Sequence, residues 1–190
     1  MAKLYFYYGE MGACKTATLL TTAFNYEEKG QSVITLKPAK DTKGGKFVSS
    51  RLGITRPCRY LEDFKEQYEN KLAEIKCNVI LVDEIQFANK EEIDFLSDIV
   101  DYVNIPVICY GLRADFIGNM FPGSERLLAL ADNIIEIKTM CWCGHKATVN
   151  VRFNELGIIK DGEQVLIGGN AEYTGICRKH CKLGQMKKPE

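Results

Sequence analysis

The chain carries no surplus of charge: 25 lysine and arginine residues balance 25 aspartate and glutamate residues over a length of 190. Dedicated nucleic-acid or membrane-surface proteins display a basic field, so the balance argues against both classes, although Arg178-Lys179-His180 and Lys187-Lys188 form small basic patches. No apolar run approaches the ~18 residues of a membrane-spanning helix. Met1-Ala2-Lys3-Leu4 leads directly into a strand-like segment. That leaves no room for a signal peptide and makes the cytoplasm the expected location. Internal repeats and low-complexity tracts are also lacking. What remains is a chain with 46% hydrophobic residues, enough to bury a core for one domain and a small appendage.

The segment Gly9-Glu10-Met11-Gly12-Ala13-Cys14-Lys15-Thr16 lies between an apolar strand candidate, Leu4-Tyr5-Phe6-Tyr7, and a helix-periodic stretch from Ala17. Strand, glycine-bearing turn, Lys-Thr and helix make the setting of a P-loop. The backbone N–H groups of such a turn, with a helix N-terminus behind them, cradle phosphate oxygens. Lys15 would then reach the β- and γ-phosphates, and the Thr16 hydroxyl would ligate Mg²⁺. The usual pattern places glycine directly before the lysine, and here that position is Cys14. An ordinary strand-to-helix turn with an exposed lysine is the plainer alternative.

A second half of a nucleotide site follows. Asn78-Val79-Ile80-Leu81-Val82 reads as a buried parallel strand and ends in Asp83-Glu84. Ligands of open α/β sheets sit beyond the carboxyl ends of the strands, so both acids would share a crevice with the first turn. Asp83 suits Mg²⁺ binding, while Glu84 is free to accept a proton from an attacking hydroxyl or to orient a water. Paired acids at a strand end are otherwise a solvated turn.

Strand and helix patterns alternate over residues 1–138. A helix ends near Lys29-Gly30, and strands are expected at Ser32 to Leu36, Pro106 to Tyr110 and Asn133 to Lys138. The segment from Lys37 to about Cys58 shows little periodicity and reads as a mobile connection. Leu61, Phe64, Tyr68, Leu72 and Ile75 predict one amphipathic helix over 61–75, and further helices are expected around 91–100 and over 124–131. This alternation implies a parallel sheet with helices on both faces.

From Thr139 the texture changes. Of eight cysteines, Cys58, Cys77 and Cys109 stand singly and read as small buried hydrophobes, whereas Cys141, Cys143, Cys177 and Cys181 cluster near the C-terminus. Cys141-x-Cys143 and Cys177-x₂-His180 bracket two β-like segments, 147–153 and 164–168, as close ligand pairs do when tetrahedral Zn²⁺ pins a small lobe. Cys181 is an alternative fourth ligand and His145, the only other histidine, a competitor. Four protein ligands leave no open position, so the metal would be structural. Residues 139–190 would then form a separate zinc-binding lobe.

Taken together these elements resemble the cytosolic-type thymidine kinases, over essentially the whole chain. The resemblance is carried by Tyr8-Gly9-x-Met11 leading to Lys15-Thr16, by Val82-Asp83-Glu84-Ile85-Gln86-Phe87, and by Tyr110-Gly111-Leu112-Arg113-Ala114-Asp115-Phe116. Phe121-Pro122-Gly123-Ser124 and Ile167-Gly168-Gly169 running to Tyr173 and Cys177 complete it. It implies a RecA-like α/β domain with a zinc-pinned β lobe that carries a lasso-shaped substrate loop, assembled as a homotetramer. It further implies transfer of the γ-phosphate of ATP-Mg²⁺ to the 5′-hydroxyl of thymidine, Glu84 as general base, and inhibition by thymidine triphosphate. Met11, Phe87, Leu112, Phe116, Phe121 and Tyr173 match positions around the thymine base, and main-chain groups at Leu166, Ile167 and Gly168 would read its edge. Gln86, Asp41 and Lys43 fall in elements on the nucleotide side. The family commonly has D-x-R where this chain has Asp41-Thr42-Lys43, which keeps a charge but loses the bidentate fork. A RecA-like ATPase acting on nucleic acid, or a zinc-bearing nucleotide-binding module without catalysis, would share parts of the pattern.

Overall fold

The computed structural model describes residues 1–164 and 172–186. Its first element is β1 (Leu4–Tyr8), followed by α1 (Lys15–Glu28) and β2 (Val33–Lys37). A short antiparallel hairpin, β3 (Phe47–Ser49) and β4 (Thr55–Pro57), precedes β5 (Arg59–Tyr60) and α2 (Leu61–Tyr68). Then come β6 (Val79–Val82), α3 (Lys90–Asp98), β7 (Val107–Gly111), α4 (Pro122–Leu130) and β8 (Asn133–Glu136). The remaining elements are β9 (Val149–Asn154), β10 (Gly157–Ile159), β11 (Glu172–Ile176) and α5 (Arg178–Leu183).

Six strands form one parallel sheet in the order β5-β2-β6-β7-β1-β8. The period of two decides which face each side chain serves. Val79, Leu81, Ile108 and Tyr110 meet Leu19, Leu20 and Ala23 of α1 on one face. Ile80, Val82, Val107 and Cys109 meet Phe64, Ile93, Leu96 and Leu127 of α2, α3 and α4 on the other. The α/β class and the parallel sheet flanked by helices are therefore as the sequence implies. β1 and β6 deliver the first turn and the acid pair to the same end of the sheet, since both strands point the same way. A second, antiparallel sheet in the order β10-β9-β11 has its own small apolar cluster of Cys141, Val151 and Ile176.

Two expectations need correction, and a third falls almost wholly outside the described residues. The segment after Lys37 is not an unstructured connection. Val48 is buried beneath α1, and Arg56 holds Glu27 through two guanidinium bonds while its Nε donates to Thr35 Oγ1. The predicted helix over 61–75 stops at Tyr68. Glu69-Asn70 turn the chain out of it, and a separate 3₁₀ turn, Leu72–Glu74, brings Ile75 into the core. Helical spacing of apolar residues was satisfied by two short elements rather than one long one. The second β-like segment, 164–168, lies almost entirely outside the described residues. The neighbours of β9 are β10 and β11.

Candidate active site

The turn after β1 leads from the sheet into the N-terminus of α1. Gly12 and Cys14 both have positive φ, 81° and 58°, and Cys14 is the residue on which α1 starts. An L-residue in this left-handed conformation costs about 1–2 kcal/mol more than in its ordinary one, which is the physical reason glycine is favoured there. The thiol of Cys14 is exposed. Lys15 is buried, and its ammonium donates to the carbonyls of Gly9 and Glu10 at 2.9 and 3.2 Å. Burial lowers the Lys15 pKa, against the opposing charges of Glu84, Asp83 and Glu10, and burial raises that of Glu10. Thr16 Oγ1 donates to Asp83 Oδ2 at 2.8 Å. Burial, with the charge of Glu84 beside it, pushes Asp83 up to about 7, and the Thr16 bond opposes this.

Glu84, with φ 49°, turns the chain sharply after β6. The amide nitrogen of Gln86 donates to the Glu84 carboxylate, and Gln86 Oε1 accepts from the Leu112 N–H at 3.0 Å. Gln86 thus fixes the acid to the segment after β7. Glu84 and Gln86 line a cavity with Met11, Phe87, Leu112, Phe121 and Tyr173 on its apolar side, and with Asp41 and Lys43 on its polar side. Phe87 meets Phe121 edge-on at 6.0 Å. Phe116 stands behind this wall, buried, with its ring edge-on to Tyr173 at 6.4 Å. Leu166, Ile167 and Gly168 lie outside the described residues.

Several residues around the cavity were not singled out in the sequence. Lys40, Thr42 and Gln164 also line it. Lys37, fully buried, bonds Asp41 Oδ2 at 3.0 Å and the Lys43 carbonyl at 2.6 Å, pinning the polar side. Asn150 accepts from the Met11 N–H at 2.7 Å and donates to the Ala114 carbonyl at 3.1 Å, which joins β9 to both walls. Asn150 and Arg152 occupy alternate positions of β9, and polar residues two apart in a strand share a face. That spacing was the only sequence signal for them.

At the other end of the C-terminal sheet, Cys141, Cys143, Cys177 and His180 bring one ligand atom each to within 4.8 Å of one another. Cys141 Sγ and Cys177 Sγ lie 3.5 and 3.2 Å from His180 Nδ1, and Cys143 Sγ lies 4.0 Å from Cys177 Sγ. A Zn–S length of about 2.3 Å gives tetrahedral edges of about 3.8 Å, so three thiols and an imidazole at these separations fit zinc. Burial raises the Cys141 thiol, but the backbone N–H groups of Cys143 and Cys177, together with His180, hold it down to about 6. The indole of Trp142 stacks on the His180 ring at 4.1 Å. Cys181 packs into the apolar cluster beside the group, and among the described residues His145 Nδ1 reaches only Cys143 Sγ, at 3.4 Å.

The thymidine kinase family model matches residues 2–181. The chain belongs to the thymidine kinase family. The thymidine kinase of Mannheimia succiniciproducens is 46% identical over 187 residues, which covers 96% of each chain. That of Legionella pneumophila strain Lens is 44% identical over 194 residues, covering 99% of this chain and 93% of the relative. For the thymidine kinase of Rhodopirellula baltica the identity is 46% over 189 residues, with 96% and 89% covered. Among solved structures, the replication initiator DnaA bound to AMPPCP and single-stranded DNA aligns over 72% of this chain and 40% of that one, at 17% identity and a TM-score of 0.45. Nothing about function follows from a likeness of that degree.

Proposed function

We propose that this kinase transfers the γ-phosphate of ATP to the 5′-hydroxyl of thymidine, giving thymidine monophosphate, with Glu84 as the general base. One observation carries the reading: adjacent acids at the end of β6 serve two different places. Asp83 is bonded to Thr16 at the start of α1, while Glu84 faces the cavity with Phe87, Leu112, Phe121 and Tyr173. A carboxylate beside an apolar slot can take the proton of a hydroxyl on a flat ring-bearing substrate, and the aromatic wall fits such a ring.

In this reading Gly9 to Thr16 cradle the phosphates, and Lys15 leaves the carbonyls of Gly9 and Glu10 for the transferring group. Asp83 and Thr16 would hold Mg²⁺, which neutralises charge on the phosphate oxygens. Lys43, steered by Asp41 and Lys37, brings a further cation to the polar side of the cavity. Met11, Phe87, Leu112, Phe121 and Tyr173 enclose the base, with Phe116 supporting Tyr173. Leu166 to Gly168 are assigned to base readout by resemblance alone.

Zinc bound by Cys141, Cys143, Cys177 and His180 supplies folding energy to the C-terminal sheet rather than chemistry. Residues 1–138 then form the nucleotide-binding domain and residues 139–190 the substrate lobe. A thiolate metal site fits a reducing compartment, hence the cytoplasm. Homotetrameric assembly and inhibition by thymidine triphosphate accompany the resemblance; sedimentation checks the first, and turnover with and without the triphosphate checks the second. The reading as a whole is tested by ATP turnover in the presence of thymidine against turnover with single-stranded DNA. Stimulation by thymidine alone supports it, and stimulation by DNA alone replaces it with a nucleic-acid-dependent ATPase.

A further inference from the structure

Gln164 borders the cavity at the end of the segment 161–164, and two buried groups of opposite charge hold that segment. Arg152, 2% exposed, donates from Nη2 to the Asp161 carbonyl at 3.1 Å and from Nη1 to the Glu163 carbonyl at 2.9 Å. Its guanidinium also lies over the Phe116 ring at 3.9 Å. Between the two carbonyls Gly162 has φ 124°, and a Cβ there would come within 2.6 Å of Arg152 Nη2. The backbone leading to Gln164 is therefore set. Asp115, 6% exposed, uses Oδ1 to accept the N–H groups of Ile117, Gly118 and Asn119 at 2.8–2.9 Å. Its Oδ2 accepts from Gln164 Nε2 at 3.0 Å.

An ionised carboxylate is an acceptor only. Gln164 must therefore turn its nitrogen to Asp115, which leaves its carbonyl oxygen on the other side of the amide. Gln164 lines the cavity, and its oxygen has no hydrogen-bond partner among the described residues. A fixed acceptor at a cavity wall rejects ligands that lack the matching donor.

We propose that Gln164 is a specificity-determining residue whose side-chain carbonyl oxygen accepts a hydrogen bond from the nucleoside, and that Asp115 is the positioning residue that aims it. The inference rests on the thymidine kinase reading above. Thymidine offers two donors away from the reacting oxygen, the ring N3–H and the 3′-hydroxyl. The shared chemistry is a neutral donor meeting an amide oxygen.

Steady-state kinetics of the full-length, zinc-loaded chain with thymidine, 3′-deoxythymidine and 3-methylthymidine test it. Gln164→Met is expected to raise the thymidine KM about tenfold and leave the ATP KM unchanged. Preference for thymidine over one analogue should collapse, and the analogue concerned identifies the donor. Asp115→Asn keeps the Oδ1 contacts but offers an N–H to Gln164, so the amide turns over and presents nitrogen to the cavity, with the same loss. Adding Gln164→Glu restores an acceptor on both sides and is expected to return the thymidine KM to within about threefold of wild type. Unchanged KM and unchanged preference in Gln164→Met would overturn the assignment. So would a parallel rise in both thymidine and ATP KM, or failure of the double variant to recover. A wild-type protein that does not phosphorylate thymidine overturns the kinase reading and this inference together. A working kinase indifferent to Gln164→Met overturns this inference alone.

Discussion

The Thr16 hydroxyl donates to Asp83 Oδ2 at 2.8 Å, across the gap between the first turn and the end of β6. The two groups that would share Mg²⁺ are thus already in contact. Burial raises the Asp83 pKa to about 7, above the ordinary carboxylate value, so the fold favours the protonated form. Keeping Asp83 charged costs stability, a cost absent below the ordinary carboxylate range that grows as pH rises toward 7. Mg²⁺ needs the carboxylate and must displace that proton. Apparent Mg²⁺-ATP affinity is expected to rise with pH and level off above about 7. Asp83→Asn should lose the pH dependence and the activity while melting no lower than wild type at alkaline pH. Titration calorimetry that finds one affinity across this range contradicts the assignment.

Cys14 occupies a left-handed position, φ 58°, at the head of α1. Cys14→Gly relieves that conformation and is expected to raise stability by up to about 1 kcal/mol and to keep or improve ATP affinity. Alkylation of this exposed thiol should inactivate the enzyme, and bound ATP should protect it. Loss of activity in Cys14→Gly, or full activity after alkylation at this position, would show that the turn does not hold phosphate.

Zinc content tests the C-terminal cluster. About one Zn²⁺ per chain should persist through gel filtration, and Cys141→Ser or Cys177→Ser should lose it and destabilise the β9–β11 sheet. His145→Ala should retain the metal, because the His145 ring stands outside the group formed by Cys141, Cys143, Cys177 and His180. Metal-free protein with native melting behaviour and full activity contradicts a structural zinc.

The alternation of strands and helices was legible because each buried strand is a continuous apolar run and each helix carries a one-sided stripe. The acid pair and the turn were legible because their chemistry needs fixed residue types at strand ends. The β3–β4 hairpin was hidden, since strands as short as Phe47–Ser49 leave no period to read. The 61–75 stretch misled because Leu72 and Ile75 keep helical spacing from Leu61 and Phe64 without belonging to one helix. Asn150 left no signal beyond its two-residue spacing from Arg152, for another reason. A buried polar side chain is explained by its partners, and those of Asn150, Met11 and Ala114, are distant in the chain.

The central claim is tested most directly by following the labelled γ-phosphate of ATP. Wild-type enzyme with thymidine is expected to place the label on the 5′-oxygen of the nucleoside. Glu84→Gln, which keeps the shape and removes the proton acceptor, is expected to slow that transfer by on the order of 10²–10⁴ with ATP binding intact. Label released only as inorganic phosphate, or transferred equally fast by Glu84→Gln, would contradict the account.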